Sequence, residues 1–335
     1  MDVIGFGAIN LDEMYAVRSL AALPGPAMTA GSERTVDASE YERLTRLLEE
    51  AGARKVVSGG GQAANTVYAL ARLGFQTAII GSVGGDEEGD FLLAGLAPVD
   101  TSQVVRGGRT PRCAVIVDRS GERTICVLSS PEEALLPDPI AAWGRLAGAR
   151  FVHLTSLTHK EELKAQIKLV ESVPNDVRVS FDPGELYCWL GVEALAPILR
   201  RTHVLFLGER EVTLLTGKSL SPACKKLLSL GPAVLVCKKG AKGIDVLTAD
   251  GQRISVAARK VAVVDPTGAG DVFAAGFLAG LLLGLEPERC AVLGAEAAAE
   301  SITGYGRSRY PGPELLESLG LRPPRRPRTA GGSPP

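Results

Sequence analysis

The sequence predicts an α/β protein with a doubly wound, mainly parallel β-sheet flanked by helices and a small β lid. Between about residues 150 and 240, short apolar strands alternate with helical segments, which is the rhythm of βαβ units. Glycine-rich turns follow several strands, as in open sheets that bind ligands beyond the carboxyl ends of their strands. In this central region the expected elements are strands at Phe151–Leu154, Val177–Phe181, Val204–Leu207 and Ala233–Cys237 and helices at Lys160–Ser172 and Glu193–Arg200.

The composition indicates a globular protein with a large core and almost no net charge. Apolar residues make up 45% of the 335 residues, and 37 basic against 38 acidic residues give a net charge of −1. This balance provides no bulk electrostatic attraction to nucleic acid, and 5% aromatic residues disfavour a base-stacking surface. The six cysteines form no C-x-x-C pair, so neither a zinc site nor a disulfide scaffold is indicated. No signal peptide is visible and the longest apolar run, about 14 residues, is too short to span a bilayer, so a cytoplasmic protein is expected.

The N-terminal segment ends in two polar residues that are candidates for binding a substrate. Residues 3–9 read as a buried strand, which would place Asn10 and Asp12 just beyond the carboxyl edge of the sheet. A carboxylate and an amide together suit a vicinal diol, whereas the alternative is a turn in which both side chains bond to their own backbone. Gly5 and Gly7 have no third glycine at the dinucleotide spacing, so the sequence gives little support to an NAD-linked oxidoreductase.

Hydrophobic periodicity is lost between about residues 15 and 55, which indicates an insertion at the edge of the domain. A loop is expected at Leu23–Pro26, followed by a helix from about Glu40 to Glu50. Asp37 or Ser39 is expected to cap this helix and Gly52 to end it. Insertions of this kind commonly act as lids over a binding site.

Three consecutive glycines form a candidate ligand loop. Gly59, Gly60 and Gly61 precede an alanine-rich helix predicted at Thr66–Leu73, and Asn65 stands at its start. Glycine lets a backbone approach a ligand closely, whereas a flexible linker is the alternative interpretation. The regular elements on both sides favour the ligand loop.

Two hairpins and several regular elements complete the predicted fold. The first hairpin covers residues 114–128 and is interpreted as part of the lid, with an ordinary edge hairpin as the alternative. The other expected elements are a strand at Thr77–Gly81, a helix at Phe91–Leu96, a hairpin of Ile244–Leu247 with Arg253–Val256, and a helix from about Pro287 to Ile302.

The segment from Asp265 to Asp271, Asp-Pro-Thr-Gly-Ala-Gly-Asp, is the strongest chemical signal in the chain. An apolar strand at Val263–Val264 is expected before it and an apolar helix after it. The N–H groups of Gly268–Gly270 would lie at the helix N-terminus, where no intrahelical carbonyl accepts them and the helix dipole favours an anion. Asp271 would face the group that reacts with this anion, and at a helix N-terminus it is expected to be ionised near neutral pH. The alternative is an N-cap aspartate after a glycine turn.

Taken in order, these segments resemble the motifs of the PfkB/ribokinase-type carbohydrate kinase family over roughly residues 3–312. The resemblance implies a ribokinase-like fold, ATP as co-substrate, Mg²⁺ and, as in some relatives, a monovalent cation such as K⁺. It assigns these roles: Asp271 as catalytic base; Gly268, Ala269 and Gly270 as an anion hole; Asn10, Asp12, Gly60, Gly61 and Asn65 as acceptor ligands; Lys238, Gly240 and Gly243 along the nucleotide phosphates; Glu211 as a ligand of Mg²⁺ through water; and Asp265 in the monovalent cation site.

The chain departs from the family motifs at four positions. Pro266 stands in place of a threonine, and Gly208 replaces the asparagine of an N-x-x-E motif. After Asp182, Gly184 and Leu186 replace the asparagine and arginine of a D-P-N-x-R motif. Loss of that arginine leaves the phosphate contacts open and argues against a simple fructokinase.

The sequence therefore predicts one kinase domain over residues 1–321, with a lid from parts of about 12–57 and 108–128, and a disordered Pro/Arg-rich tail over residues 322–335. The predicted activity is ATP- and Mg²⁺-dependent phosphorylation of a hydroxymethyl group on a sugar, with a ribose-like acceptor favoured. The alternatives are a nucleoside kinase and a catalytically inactive regulator that binds a sugar or nucleotide. The resemblance also implies a homodimer through the lid.

Overall fold

Two β-sheets organise the part of the chain that the computed structural model describes, which is residues 1–20, 31–119, 123–129, 137–146 and 148–324. The strands in chain order are β1 (Val3–Phe6), β2 (Asn10–Ala16), β3 (Glu33–Val36), β4 (Arg54–Gly60), β5 (Thr77–Val83), β6 (Asp100–Arg106), β7 (Arg112–Val117), β8 (Arg123–Leu128), β9 (Phe151–Thr155), β10 (Arg178–Asp182), β11 (Thr202–Gly208), β12 (Val234–Lys238), β13 (Ile244–Thr248) and β14 (Arg253–Val256).

Helices flank both sheets. In chain order they are α1 (Ala38–Glu50), α2 (Gln62–Arg72), α3 (Glu87–Ala94), α4 (Pro139–Arg145), α5 (Lys160–Ser172), α6 (Gly184–Cys188), α7 (Gly191–Arg201), α8 (Glu209–Thr216), α9 (Leu220–Leu228), α10 (Ala269–Leu282), α11 (Pro287–Ser301) and α12 (Pro313–Ser318). Short 3-10 turns lie at Gly240–Lys242 and Gly306–Arg309. Among the described residues, no helix is both long and apolar enough to cross a membrane.

The larger sheet has the order β14-β13-β12-β11-β10-β9-β1-β5-β6 and is parallel from β12 to β6. Successive residues of its strands enter two separate cores: Val204 and Phe206 pack on one face, and Leu205 and Leu207 on the other. A strand covered on both faces reads as a continuous apolar run, which is why β11 was predictable. The antiparallel hairpin β13–β14 extends one edge. The predicted doubly wound, mainly parallel sheet is thus confirmed.

The smaller sheet has the order β3-β8-β7-β2-β4 and comes from the two stretches in which the insertion and the first hairpin were predicted. Helix α1 begins after Asp37, whose carboxylate accepts a hydrogen bond from Glu40 N, and covers one face of the sheet. Residues of β7 alternate between the two faces of the smaller sheet. Ala114 packs under α1, whereas Cys113 packs on the opposite face with Leu186 of α6. Both faces are covered, so this strand shows little alternation in hydrophobicity.

Helices α10 and α11 pack with their backbones almost in contact. A Cβ atom on Gly276 would lie 2.7 Å from the Cα of Gly294, and one on Gly280 would lie 2.8 Å from the Cys290 Sγ. Close packing of this kind requires small residues, because added side-chain atoms would force the helices apart. Alanines of α11, such as Ala291 and Ala295, are buried in the same core.

Three local predictions need correction. The strand expected at Val263–Val264 is absent, because these valines are 59% and 44% exposed and the N–H of Val264 donates to the carbonyl of Ile302 at the end of α11. The first strand ends at Phe6 rather than at residue 9, and Asn10 itself begins β2 of the smaller sheet. The helix predicted at Phe91–Leu96 begins four residues earlier, where Asp86 caps α3. Of the tail, residues 325–335 lie outside the described residues.

Candidate active site

The N-terminus of α10 lies beside the carboxyl ends of β10 and β12. Asp182 ends β10 and Lys238 ends β12, and Lys238 Nζ lies 2.5 Å from Asp182 Oδ2. A Cβ atom on Gly270 would lie 3.2 Å from Lys238 Nζ, so the ammonium group sits against the first turn of α10. Burial by itself would lower the pKa of Lys238, but Asp182 and Glu211 raise it above its usual range. A fixed cation therefore stands at the helix N-terminus where an anion was predicted to bind.

The turn before α10 has the left-handed backbone that its glycine permits. Gly268 has φ +76° and precedes the first helical residue, Ala269. The N–H of Ala269 donates to the carbonyl of Pro266 at 3.3 Å, so this N–H of the predicted anion hole already has a partner within the turn. Arg123 Nη1, from the smaller sheet, donates to the same carbonyl at 3.0 Å. The turn thus joins the two sheets.

Asp271 lies in the first turn of α10 and is only 8% exposed. Its Oδ2 accepts a hydrogen bond of 2.8 Å from Asn65 Nδ2. Burial raises the pKa of Asp271 from 3.8 to about 7, and Asp182 adds to this, whereas Asn65, Lys238 and Arg123 oppose it. The expectation of a carboxylate fully ionised at neutral pH is therefore wrong, because burial outweighs the helix dipole and the hydrogen bond. The resulting pKa lies near neutrality, where a general base works best.

The predicted acceptor residues lie together between the two sheets. Asn10 and Asp12 are two residues apart on β2 and share one face, with Asn10 Nδ2 at 2.9 Å from Asp12 Oδ1. Burial raises the pKa of Asp12 to about 6, although Asn10 opposes the shift. A Cβ atom on Gly60 would lie 2.1 Å from Asp12 Oδ1, so only glycine leaves room for that carboxylate. Gly61, with φ +96°, is the N-cap of α2 and brings Asn65 toward Asp271.

Arg307 is a site residue that sequence reasoning missed. Its Nε donates to Asn65 Oδ1 at 3.0 Å and its Nη2 donates to the carbonyl of Gly60 at 3.3 Å. Its guanidinium group lies 5.2 Å from the ring centroid of Tyr68. Asn65 therefore bridges Arg307 and Asp271 through the two ends of its amide. Arg307 lies in the 3-10 turn Gly306–Arg309, 242 residues from Asn65, and no local pattern connects them.

Besides Asp182, other carboxylates lie near Lys238. Glu211, near the start of α8, accepts a hydrogen bond of 2.6 Å from Gly208 N, and burial together with Asp182 and Glu185 raises its pKa against the influence of Lys238. Glu33 on β3 was also missed: burial, followed by the charges of Glu211 and Glu185, raises its pKa to about 8. The buried Asp182 Oδ1 has no hydrogen-bond partner among the described residues. This region is consequently short of positive charge.

Within the described chain, no group of three or more His, Cys, Asp or Glu side chains has the arrangement of a complete metal cage. Mg²⁺ keeps most of its waters and takes few protein carboxylates, so it does not need such a cage. The partnerless oxygen of Asp182 and the buried carboxylate of Glu211 are hard oxygen donors, and a cation would relieve their mutual repulsion. The residues present therefore fit a hydrated divalent cation.

The remaining predicted site residues have contacts of their own. Gly240 and Gly243, with φ +57° and +91°, flank the 3-10 turn after β12, and a Cβ atom on Gly243 would lie 2.1 Å from the carbonyl of Val256. The Asp265 carboxylate accepts hydrogen bonds from Thr267 N at 2.9 Å and Gly306 N at 3.0 Å, so it ties the 3-10 turn that carries Arg307 to the turn before α10.

A model of the pfkB family carbohydrate kinases matches residues 34–312. An uncharacterised sugar kinase of Archaeoglobus fulgidus is 35% identical over 246 residues, which are 71% of this chain and 95% of that protein. An ATP-dependent ribose-1-phosphate kinase of Halopiger xanaduensis is 33% identical over 256 residues, 74% of this chain and 82% of that one. The structure of a ribokinase from Thermotoga maritima superposes with a TM-score of 0.72 at 23% identity and covers 95% of this chain and 99% of that chain. The fold is therefore ribokinase-like.

Proposed function

The chain belongs to the pfkB family of carbohydrate kinases, and from this premise we propose that it transfers the γ-phosphoryl group of ATP to a hydroxymethyl group of a ribose-like sugar. The observation that supports this most directly is the position of Asp271. Its carboxylate lies at the N-terminus of α10 and is held by Asn65, which also binds Arg307. Arg307 in turn contacts Gly60, against which the Asp12 carboxylate lies. A base, a helix N-terminus and a diol-binding pair thus meet at one place.

In the proposed reaction Asp271 accepts the proton of the acceptor hydroxyl as the oxygen attacks the γ-phosphorus. The new P–O bond forms on the acceptor, the bond to the bridging β,γ-oxygen breaks, and ADP leaves with that oxygen. Charge spread over the transferred group is stabilised by fixed dipoles and cations rather than by covalent chemistry. In this chain those groups are the N–H groups of Gly268 and Gly270 at the start of α10 and the ammonium group of Lys238.

The proposed divalent cation is Mg²⁺, held by Glu211 through water with Asp182 nearby. When bound, it would neutralise negative charge on the nucleotide phosphates. Gly240 and Gly243 follow Lys238 and are proposed to lie along the nucleotide. For Gly243 the contact with Val256 is a sufficient structural reason for glycine, so Gly240 is the stronger candidate.

The proposed acceptor ligands are Asn10, Asp12 and Asn65. Asn10 Nδ2 donates to Asp12 Oδ1 and to Cys113 Sγ, so the oxygens of Asn10 and Asp12, on one face of β2, are proposed to accept hydrogen bonds from the paired hydroxyls of a ribose-like ring. Gly60 and Gly61 are proposed to support this pocket by leaving room for the Asp12 carboxylate and for the turn into α2.

The test is an ADP-release assay with Mg·ATP against ribose, fructose, other hexoses, sugar phosphates and nucleosides. Asp271→Ala is the inactive variant, and Asp176→Asn, which changes an exposed carboxylate before β10, is the matched control. Turnover on one acceptor class that Asp271→Ala abolishes and Asp176→Asn retains would support the proposal and identify sugar or nucleoside. ATP binding by calorimetry without turnover on any acceptor would favour a non-catalytic regulator.

A further inference from the structure

The guanidinium group of Arg307 lies among the residues proposed to bind the acceptor. It contacts Asn65 and Gly60, whose neighbour in space is the Asp12 carboxylate. A Cβ atom on Gly59 would lie 3.1 Å from Arg307 Nη1, so the absence of a side chain at Gly59 leaves room for the guanidinium group. The positive charge of Arg307 is therefore part of this pocket.

Among the described residues Arg307 forms no ion pair, although the Asp12 carboxylate lies against Gly60. Its hydrogen bonds go to an amide oxygen and a carbonyl oxygen, and its third contact is the ring of Tyr68. All three partners are neutral. The two hydrogen bonds use only two of the N–H groups of the guanidinium group. Burial lowers the pKa of Arg307, while Tyr310, Asp12, Tyr68 and Asp271 oppose this. A half-buried guanidinium group whose hydrogen bonds go to neutral partners still has N–H groups with which to bind an anion.

A second guanidinium group approaches the same pocket from the smaller sheet. Arg123 on β8 donates to the carbonyl of Pro266, five residues before Asp271. Its charge lowers the pKa of both Asp12 and Asp271, which places it within electrostatic range of both carboxylates. Arg307 and Arg123 come from different parts of the chain, so their convergence is a property of the fold.

We propose that the acceptor carries an anionic oxygen group, a phosphate ester or a carboxylate, and that Arg307 binds this group with Arg123 in support. The inference rests on the proposed function and narrows its acceptor to a sugar phosphate or a sugar acid. A planar guanidinium fork matches the oxygens of either group and forms charge-assisted bonds that a neutral sugar cannot provide. The competing interpretation is that Arg307 only orients the Asn65 amide.

The experiment compares matched acceptors: ribose, ribose 1-phosphate, ribose 5-phosphate and ribonate. ADP release is measured for the wild type, Arg307→Gln, Arg307→Lys and the control Arg309→Gln, an exposed neighbour that contacts Glu300. The wild type is expected to prefer one anionic acceptor over ribose by about 100-fold in kcat/KM. Arg307→Gln is expected to remove most of this preference through KM, Arg307→Lys to restore part of it, and Arg309→Gln to behave as wild type.

Two results would overturn the inference. One is equal kcat/KM for ribose and every anionic acceptor in the wild type. The other is an Arg307→Gln variant that lowers kcat equally on all acceptors, as a residue that only positions Asn65 would. Calorimetry separates failure of this inference from failure of the kinase proposal. If no acceptor turns over, binding of an anionic acceptor that Arg307→Gln abolishes still supports the inference. If no anionic acceptor binds, the inference is refuted.

Discussion

Replacing the proposed catalytic base should make the protein more stable while it removes activity. In Asp271→Asn the amide oxygen can still accept the hydrogen bond from Asn65 Nδ2, so the local geometry is preserved. General-base catalysis contributes between about 10²- and 10⁴-fold to rates, so a loss of about 10³-fold in kcat is expected. The burial that raises the pKa of Asp271 also opposes folding whenever the carboxylate is charged.

The magnitude and sign of the stability change follow from the two pKa values. The difference between an ordinary pKa of 3.8 and one of about 7 corresponds to about 4 kcal/mol. Below pH 3.8 the group is protonated in both states and contributes nothing. Between pH 3.8 and about 7 the unfolded chain releases the proton and the folded chain keeps it, so stability falls as pH rises. Above pH 7 the full destabilisation is present in the wild type and absent from Asp271→Asn.

The assay is urea unfolding of the wild type and Asp271→Asn at pH 5 and pH 8, with ADP release measured in parallel. The stability advantage of the variant should be larger at pH 8 than at pH 5, and the wild-type activity should decline as pH falls through about 7. A variant that is less stable at pH 8, or a wild-type rate that is flat between pH 5 and pH 8, would show that Asp271 is not a buried base with a raised pKa.

Three further substitutions test the surroundings of this base and the helix that carries it. Asn65→Ala removes the hydrogen bond that lowers the pKa of Asp271, the proposed base, so the acid limb of the kcat/KM profile should move to higher pH; an unmoved limb would contradict this role. Lys238→Met leaves the buried Asp182 unpaired and should lower the free energy of unfolding by about 3 kcal/mol. The double variant Lys238→Met with Asp182→Asn should recover this stability in urea titrations, but it should not recover turnover. Gly276→Ala places a methyl group against the backbone of α11 and should cost about 1–3 kcal/mol in thermal or urea unfolding. Gly144→Ala, in a helix with open space at its Cβ position, is the control and should not destabilise.

The sequence predicted the larger sheet well because its strands are buried on both faces. Strands such as β11 appear as uninterrupted apolar runs between polar helical segments, and few other structures have this pattern. The same reasoning failed at Val263–Val264, where two exposed valines are held by the carbonyl of Ile302 rather than by a neighbouring strand. A short apolar run shows hydrophobicity but does not reveal which backbone partner it will find.

The candidate site was predictable only where its residues belong to one local motif. Gly268 stands in a glycine-rich turn, and Asp271 and Asn65 lie near the starts of helices that follow such turns, so the glycines mark all three. Arg307 and Glu33 lie in unremarkable stretches, and only the fold brings them to the site. The pKa of Asp271 was mispredicted for a related reason: the helix N-terminus is visible in the sequence, whereas the burial that outweighs it depends on distant segments.

The two sheets supply different residues of the candidate site, and this has a consequence for the choice of acceptor. The larger sheet and α10 supply Asp271 and Lys238, which are proposed to act on the phosphoryl group. The smaller sheet supplies Asp12 and Arg123, which are proposed to bind the acceptor. The two sets are linked by Arg123, which donates to the carbonyl of Pro266, and by Arg307, which contacts both Gly60 and Asn65. Arg123 also lowers the pKa of Asp271, so a substitution there would reach the base, whereas Asn10 and Asp12 of β2 bond to each other and form no hydrogen bond with Asp271. Substitutions in β2 should therefore change acceptor choice far more than they change kcat on the preferred acceptor.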